Sequence, residues 1–393
     1  MNQEENKDLL ALAVMVKNEI ETIELTITSS IKHVDKVIIL DTGSTDGTQE
    51  LIRLLCEQYN KPLIMKESPF VDFSVSRNQL LEMCEGECKF AILLDANDQL
   101  MNGANLRKFC EEDKSNNGAY IVNYICDKFI LFQAVRLVKP GNGWLYKGKV
   151  HEVLCNGDIM AGVCDSSFEL RQNKDNIKDI IKTRIRMIKD IDILTEEITN
   201  DPSDTRSIFY LANTYSALGE YEDSFKYYKL RASMDTGYKQ EIFWSNYKCG
   251  VSLSLQNKHD ESLEYFMKAL ECSQRVEPYI FIVKYYQDKD PKKALEYCKK
   301  MNVLDMYVGQ IFVDINCYNF SRWHLTAAVC LELSLEEFQS SGSCLDTEYF
   351  KLGSDAVLNA YSGANKDAKN MIKTFVEAYM NLKELHGLLS PPK

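Results

Sequence analysis

Apolar residues fall first in short unbroken runs and later at helical spacing, and the change between the two regimes divides the chain. Leu9 to Val16 and Val37 to Leu40 are runs of the kind shown by strands buried on both faces, and Ile20 to Ile31 reads as a helix between them. A helix from Thr48 to Tyr59, a strand from Pro62 to Lys66, a helix from Ser74 to Cys84 and a strand from Phe90 to Leu94 continue the alternation. This order predicts an α/β domain with a mostly parallel sheet. Ligands gather at the carboxyl ends of the strands in such sheets. Three polar clusters fall at those ends: Lys17-Asn18-Glu19, the segment Asp41 to Thr48 (DTGSTDGT), and Asp95 to Asp98 (DAND).

Beyond about Arg171 the strand signal stops, and Asp175 to Asn200 reads as one long helix broken by Asp201-Pro202. The chain past this break repeats itself in helical pairs. Ala217 to Ser224 (ALGEYEDS) lines up with Leu255 to Ser262 (LQNKHDES) at an offset of 38, and a fainter copy centres on Ala294 to Tyr297, 32 residues further on. These offsets bracket the tetratricopeptide period of about 34 and predict stacked helix hairpins. The expected layout is an α/β domain over 1–172, a linker helix over 173–202, an all-α helical-repeat domain over 203–303 and a helical region over 304–393. Trp323 and His324 in that last region read as core.

Length and composition agree with this division. A chain of 393 residues exceeds one ordinary core, and 45% hydrophobic with 26% charged residues is the profile of a folded protein. The net charge of −12 argues against nonspecific binding to nucleic acid or anionic lipid, so an anionic substrate needs a local device: a cation, a helix N-terminus or placed basic side chains. No run reaches the roughly 20 apolar residues of a membrane span, and Met1 to Asp8 lacks the basic start of a signal peptide, so a cytoplasmic protein is expected. The 13 cysteines are odd in number and show no paired Cys-x-x-Cys spacing, which points to buried thiols.

Within DTGSTDGT, Gly43, Gly47 and Asp46 suit a turn and a helix cap. Asp41 differs, because an acid directly after a buried strand sits at the cleft. Asp95, Asn97 and Asp98 leave the end of another buried strand together, and such an oxygen set suits a hard cation such as magnesium or manganese, with a diphosphate completing the octahedron.

Together these motifs resemble the family 2 glycosyltransferases of the GT-A fold, especially the subgroup in which a short catalytic domain precedes tetratricopeptide-like helices. The matching stretches are Val16-Lys17-Asn18-Glu19, DTGSTDGT, Ser76-Arg77-Asn78, Leu93 to Asp98 and Val150-His151-Glu152. The resemblance implies a nucleotide-sugar donor, with UDP the family's usual nucleotide, held by residues 16–19, Asp41, Arg77 and the Asp95-Ala96-Asn97 segment. It implies Mn²⁺ or Mg²⁺ at Asp95 and its neighbours. This chain departs from the Asp-x-Asp pattern at Asn97, so ligation falls to Asp98 or to Asn97 as a neutral ligand, with His151 able to complete the shell. Reduced metal dependence is one consequence.

The resemblance also implies inversion by a single displacement, with Glu152 or Asp98 as general base. Trp144 and Tyr146 are placed either to stack on sugar or to pack in the core. Arg136, Lys147 and Lys149 are further candidate phosphate contacts. The acceptor is a glycan, protein or lipid, and the repeats offer a surface for it, for a partner protein or for a second copy of the chain. Two rivals stand beside this reading. A nucleotidylyltransferase should carry a glycine-rich loop after its first strand, where this chain has Lys17-Asn18-Glu19. A catalytically inactive nucleotide-binding domain on a repeat scaffold is kept alive by Asn97.

Overall fold

The computed structural model describes residues 8–126, 129–165, 167–172, 177–306, 309, 311–345, 347–364 and 366–389. It divides into two compact units, residues 1–200 and 201–393.

The first unit begins β1 (Asp8–Val16), α1 (Ile23–Ser30), β2 (Lys36–Asp41), α2 (Thr48–Gln58), β3 (Leu63–Glu67), α3 (Phe73–Cys84) and β4 (Cys88–Leu94), each within a few residues of the expected position. It continues with β5 (Asp98–Met101), α4 (Gly103–Glu112), β6 (Ala119–Cys126), β7 (Ile130–Val138), β8 (Leu145–Lys147), β9 (Val153–Cys155), β10 (Gly162–Val163), β11 (Glu169–Gln172) and α5 (Ile177–Asn200). The helix expected over 173–202 is therefore seen from Ile177, its first residues lying outside those described, and it groups with the first unit.

The main sheet runs β3-β2-β1-β4-β7-β6-β11-β5. Its first four strands are parallel, as expected, but β7 runs antiparallel to β4 and to β6, and β5 antiparallel to β11. The sheet is thus mixed, with parallel pairings still in the majority because β10 and β11 also run parallel to β6, and with β7 and β5 as the antiparallel members. The reason is local: no crossover helix separates β6 from β7, and strands this close in sequence can pair only as a hairpin.

Alternate residues explain the unbroken apolar runs. In β1, Leu10, Leu12 and Val14 enter one core and Ala11 and Ala13 the other; β2 and β4 divide in the same way. The first face is covered by Ile23 and Ile27 of α1, Ile52 and Leu55 of α2, and Leu106 of α4. The second is covered by Leu80, Leu81 and Cys84 of α3, with Trp144, Tyr146 and Leu154 of the β8–β9 region. Because β2 flanks β1 on one side and β4 on the other, the strand order reverses at β1, and a crevice opens at the carboxyl ends there. Register sets Val16 beside Asp41 and Val14 beside Leu94, so all three polar clusters reach that edge.

The second unit is helical: α6 (Thr205–Leu218), α7 (Tyr221–Ala232), α8 (Lys239–Leu255), α9 (His259–Cys272), α10 (Val276–Gln287), α11 (Pro291–Asn302), α12 (Arg322–Ser341), α13 (Glu348–Gly363) and α14 (Lys366–Leu389). The 38-residue offset has a physical counterpart. Ser224 Oγ of α7 donates to the Ala212 carbonyl of α6 at 3.1 Å, and Ser262 Oγ of α9 donates to the Gly250 carbonyl of α8 at 2.9 Å. Both the donor and the acceptor are displaced by the repeat, so the two hairpins close with the same latch. In the third hairpin Ala294 stands at the serine's position and is fully buried without a hydroxyl. Trp323 packs against the terminal core, and His324 lies between Phe320 and Phe375, so both are core residues as expected.

All thirteen cysteines are free, and most are buried; burial pushes the Cys88 thiol up to about 12, as suits an unreactive core group. Among the described residues no helix is long and apolar enough to cross a membrane.

Candidate functional site

Two loops form one wall of the crevice, and they are stapled together. Asn18 adopts a left-handed backbone, its N–H donates to Ser44 Oγ at 2.9 Å, and its Oδ1 accepts from the Thr45 N–H at 2.8 Å. Glu19 N–H donates to Thr48 Oγ1 at 2.8 Å and Ile20 N–H to Asp46 Oδ2 at 3.2 Å, while Asp46 Oδ1 accepts from both the N–H and the hydroxyl of Thr48. The turn-and-cap role of Asp46 and the glycines is therefore real: Gly43 and Gly47 take positive φ, and Gly47 stands immediately before α2. Lys17 is exposed beside this wall, whereas Val16 is buried, its carbonyl accepting from the N–H and hydroxyl of Thr42.

Asp41 closes β2 and is fully buried. Its Oδ1 accepts from the N–H groups of Gly43 and Ser44, both at 2.7 Å, so one oxygen shapes the turn. Its Oδ2 is buried without a hydrogen-bond partner among the described residues. A buried carboxylate oxygen left unpaired is costly, so this atom is a place where a donor would be accommodated.

Asp95 follows the end of β4, is partly buried and is gripped from both sides. Arg77 Nη2 of α3 donates to its Oδ1 at 2.5 Å, and Arg136 Nη2 of β7 donates to its Oδ2 at 3.0 Å. Burial alone would raise the Asp95 carboxyl, but the charges of Arg136 and Arg77 hold it well below the usual carboxylate range. Each guanidinium lies over a ring, Arg77 at 5.4 Å from the Tyr146 centroid and Arg136 at 5.4 Å from that of Tyr124.

Asp98 lies behind this pair. It is fully buried, its Oδ2 accepts from the Asp95 N–H at 2.8 Å, and its Oδ1 accepts from the Tyr124 hydroxyl. Burial and the neighbouring Asp95 charge push its carboxyl upward, so it is more readily protonated than an ordinary aspartate. Asp98 thus braces the 95–98 turn and is not presented to an acceptor, which corrects its place as a general base. Ala96 is buried, and the Asn97 side chain makes no hydrogen bond with the described residues.

The remaining sequence-derived residues come from the β8–β9 hairpin. His151 takes a positive φ in its turn, next to Glu152. Glu152 Oε1 stands 2.7 Å from Arg77 Nε, an ion pair by distance whose N–H is not aligned for a hydrogen bond. Trp144 and Tyr146 are both more than nine-tenths buried and belong to the second core, with Tyr146 lying under Arg77. Neither ring is open to stack on a sugar, and the core alternative holds for both. Lys147 and Lys149 are exposed on the same hairpin.

The arrangement also corrects the metal set. Asp95 already spends both oxygens on arginines, Asp98 spends both inside the fold, and Asn97 is neutral. Among the described residues no three of His, Cys, Asp or Glu converge to hold an ion. The residues present do not fit a divalent cation.

Two participants, Tyr124 and Asp190, are not singled out by the sequence, and a third, Asn78, stands there only as part of a motif without a role. Tyr124 orients Asp98 from β6. Asp190 on α5 is buried, and its carboxyl is raised by burial and by the nearby Glu152 charge. Asn78 joins α3 to the hairpin: its Nδ2 donates to the Tyr146 carbonyl at 3.0 Å, and its Oδ1 accepts from the Tyr146 N–H at 2.8 Å. The Ser74 hydroxyl adds a contact to the Gly148 carbonyl. Adjacent residues of α3 therefore brace one hairpin, Asn78 through its backbone and Arg77 through Glu152. Asn78→Ala should cost about 1–3 kcal/mol in denaturant unfolding and speed amide exchange at Tyr146. An unchanged exchange rate there would mean that the hairpin is held by packing alone.

The switch point of the α/β sheet thus brings the strand-end acids Asp41 and Asp95 to one edge, with Arg77 and Arg136 paired to Asp95. Residues 12–141 match the family model described as Glycosyl transferase family 2, so the first unit carries a family 2 glycosyltransferase domain. No curated protein matches the chain. Among solved structures, S. aureus TarS 1-349 is 10% identical, covering 85% of this chain and 92% of its own, with a TM-score of 0.31. MamA is 16% identical over 48% of this chain and 98% of its own (TM-score 0.33), and YrrB, described as a TPR protein with an unusual peptide-binding site, is 17% identical over 49% and 95% (TM-score 0.30).

Proposed function

We propose that this chain transfers a sugar from a nucleotide-sugar donor, a UDP-sugar by family expectation, to an acceptor nucleophile with inversion at the anomeric carbon. The observation that carries the reading is Asp41, a buried carboxylate with one oxygen committed to its own turn and the other waiting for a donor at the carboxyl edge of the parallel strands. The N–H of a nucleotide base meets that requirement. The match over residues 12–141 supports the same class.

In the reaction an acceptor O–H attacks the anomeric carbon as the bond from that carbon to the diphosphate oxygen breaks. The electron pair leaves with the nucleoside diphosphate. Glu152 is the base in this reading, since its Oε1 faces Arg77 while its Oε2 remains to take the acceptor proton. The ligand set among the described residues does not suit a divalent cation. The helical repeats would engage a glycan, protein or lipid acceptor, a partner protein or a second copy. The free thiols suit a reducing, cytoplasmic setting.

Incubation of the full chain with a panel of nucleotide sugars, with release of nucleoside diphosphate as the readout, tests the proposal. One donor should be consumed, and Asp41→Asn should reduce kcat/KM for it by about tenfold or more through lost nucleotide binding. Failure of every donor to bind or turn over would leave the inactive-scaffold reading in its place.

A further inference from the structure

We propose that Arg77 and Arg136 together take the place of a divalent cation in this cleft, so that the donor's diphosphate is bound and neutralised by guanidinium N–H groups without metal. This rests on the nucleotide-sugar reading and specifies how its site handles charge.

The first support is the geometry of Asp95. A strand-end aspartate serving an ion needs an oxygen turned to it, and here Oδ1 is taken by Arg77 and Oδ2 by Arg136. Asp95 acts as the carboxylate that lets two guanidinium groups lie close together, since two buried like charges would otherwise repel. The second is that the pair is rigidly mounted from both sheet and helix. Tyr146 lies under Arg77, and Asn78 fixes the Tyr146 backbone through two hydrogen bonds. Tyr124 lies under Arg136 and donates its hydroxyl to Asp98, which in turn accepts from the Asp95 N–H. Asp95, Asp98, Tyr124 and Arg136 thereby close a ring of contacts.

The third support is donor capacity. A guanidinium carries five N–H donors in a planar fork that matches phosphate oxygens. Arg136 commits only Nη2, and Arg77 commits Nη2 and faces Glu152 through Nε. Both arginines therefore keep N–H groups for an arriving diphosphate. As the bond from the anomeric carbon to oxygen breaks, the electron pair stays on that phosphate oxygen, and these donors stabilise the growing charge as a preorganised clamp. Asn97 fits the same picture, because a second acid at that position would repel the diphosphate where no cation intervenes.

Calorimetric titration of UDP, GDP, CDP and ADP into the full chain, in EDTA and then in Mn²⁺, tests the inference. The nucleotide that binds should do so with a Kd that changes by no more than about twofold between the two conditions. Arg136→Met should weaken it by about tenfold or more, and Arg136→Lys, which keeps the charge and loses the fork, should weaken it less. If Arg136→Met does not fold, the wild-type comparison and Arg136→Lys decide. Binding that appears only with Mn²⁺ would overturn the arginine clamp and leave the nucleotide reading standing. No binding in either condition would overturn both.

Discussion

Asp95→Ala should lower the thermal midpoint of the first unit by about 10 °C and abolish measurable nucleotide binding. Removing one partner of a buried charge network costs about 3–5 kcal/mol, because the surviving charges keep their burial and lose their compensation. Here the survivors are two guanidinium groups, Arg77 and Arg136, left facing each other. For a unit of this size each kcal/mol moves the midpoint by about 2–4 °C. The effect carries a pH signature. The folded Asp95 carboxyl sits below its unfolded value, so its stabilisation is fully present above the unfolded pKa of about 4 and is lost as pH falls towards the folded one. The gap in midpoint between wild type and variant should be full at pH 7 and should narrow in acid. A variant within about 2 °C of wild type at pH 7 would show that the carboxylate does not hold the arginines together.

Glu152→Gln separates chemistry from structure. Glutamine keeps the shape and an oxygen for Arg77, so the fold and KM for the donor should change little. The proton acceptor is gone, and kcat should fall by about 10²-fold or more in steady-state assays with the productive donor. A kcat within about threefold of wild type would sink the assignment of Glu152 and turn attention to Asp190, the other acid whose charge is felt at this position. Asp98 is a poor substitute, enclosed by Tyr124 and the Asp95 backbone.

The parallel half of the sheet is legible in the sequence because its strands are buried on both faces, which turns each into an unbroken apolar run. Leu10 to Val14 alternates between two cores, and no polar face interrupts it. The antiparallel half is not legible in this way, since β6 and β7 carry a half-buried pattern whose partner choice depends on the strands beside them. That blind spot hides the partner of Arg136. In the sequence it is a candidate phosphate contact, and only the order β4-β7-β6 brings it to Asp95. Asp41 and Asp95 stand out because strand ends fix position without knowledge of long-range pairing, whereas Arg77 emerges only through the motif resemblance. Trp144 and Tyr146 stay open between two roles because an aromatic ring near a cleft serves stacking and packing equally well until its burial is known. The repeat offset survives intact, since Ser224 and Ser262 make the same bond to carbonyls twelve residues upstream.

The wall built from residues 18–20 and 44–48 has a thermodynamic consequence. Its backbone and side-chain groups satisfy one another before any ligand arrives, so capture of a nucleotide there freezes few torsions. On the β8–β9 hairpin only the exposed side chains of Lys147 and Lys149 would have to be ordered by a ligand that reached them. Substitutions that loosen the first wall should appear as a less favourable binding entropy with little change in enthalpy, and those on the hairpin should alter the heat itself.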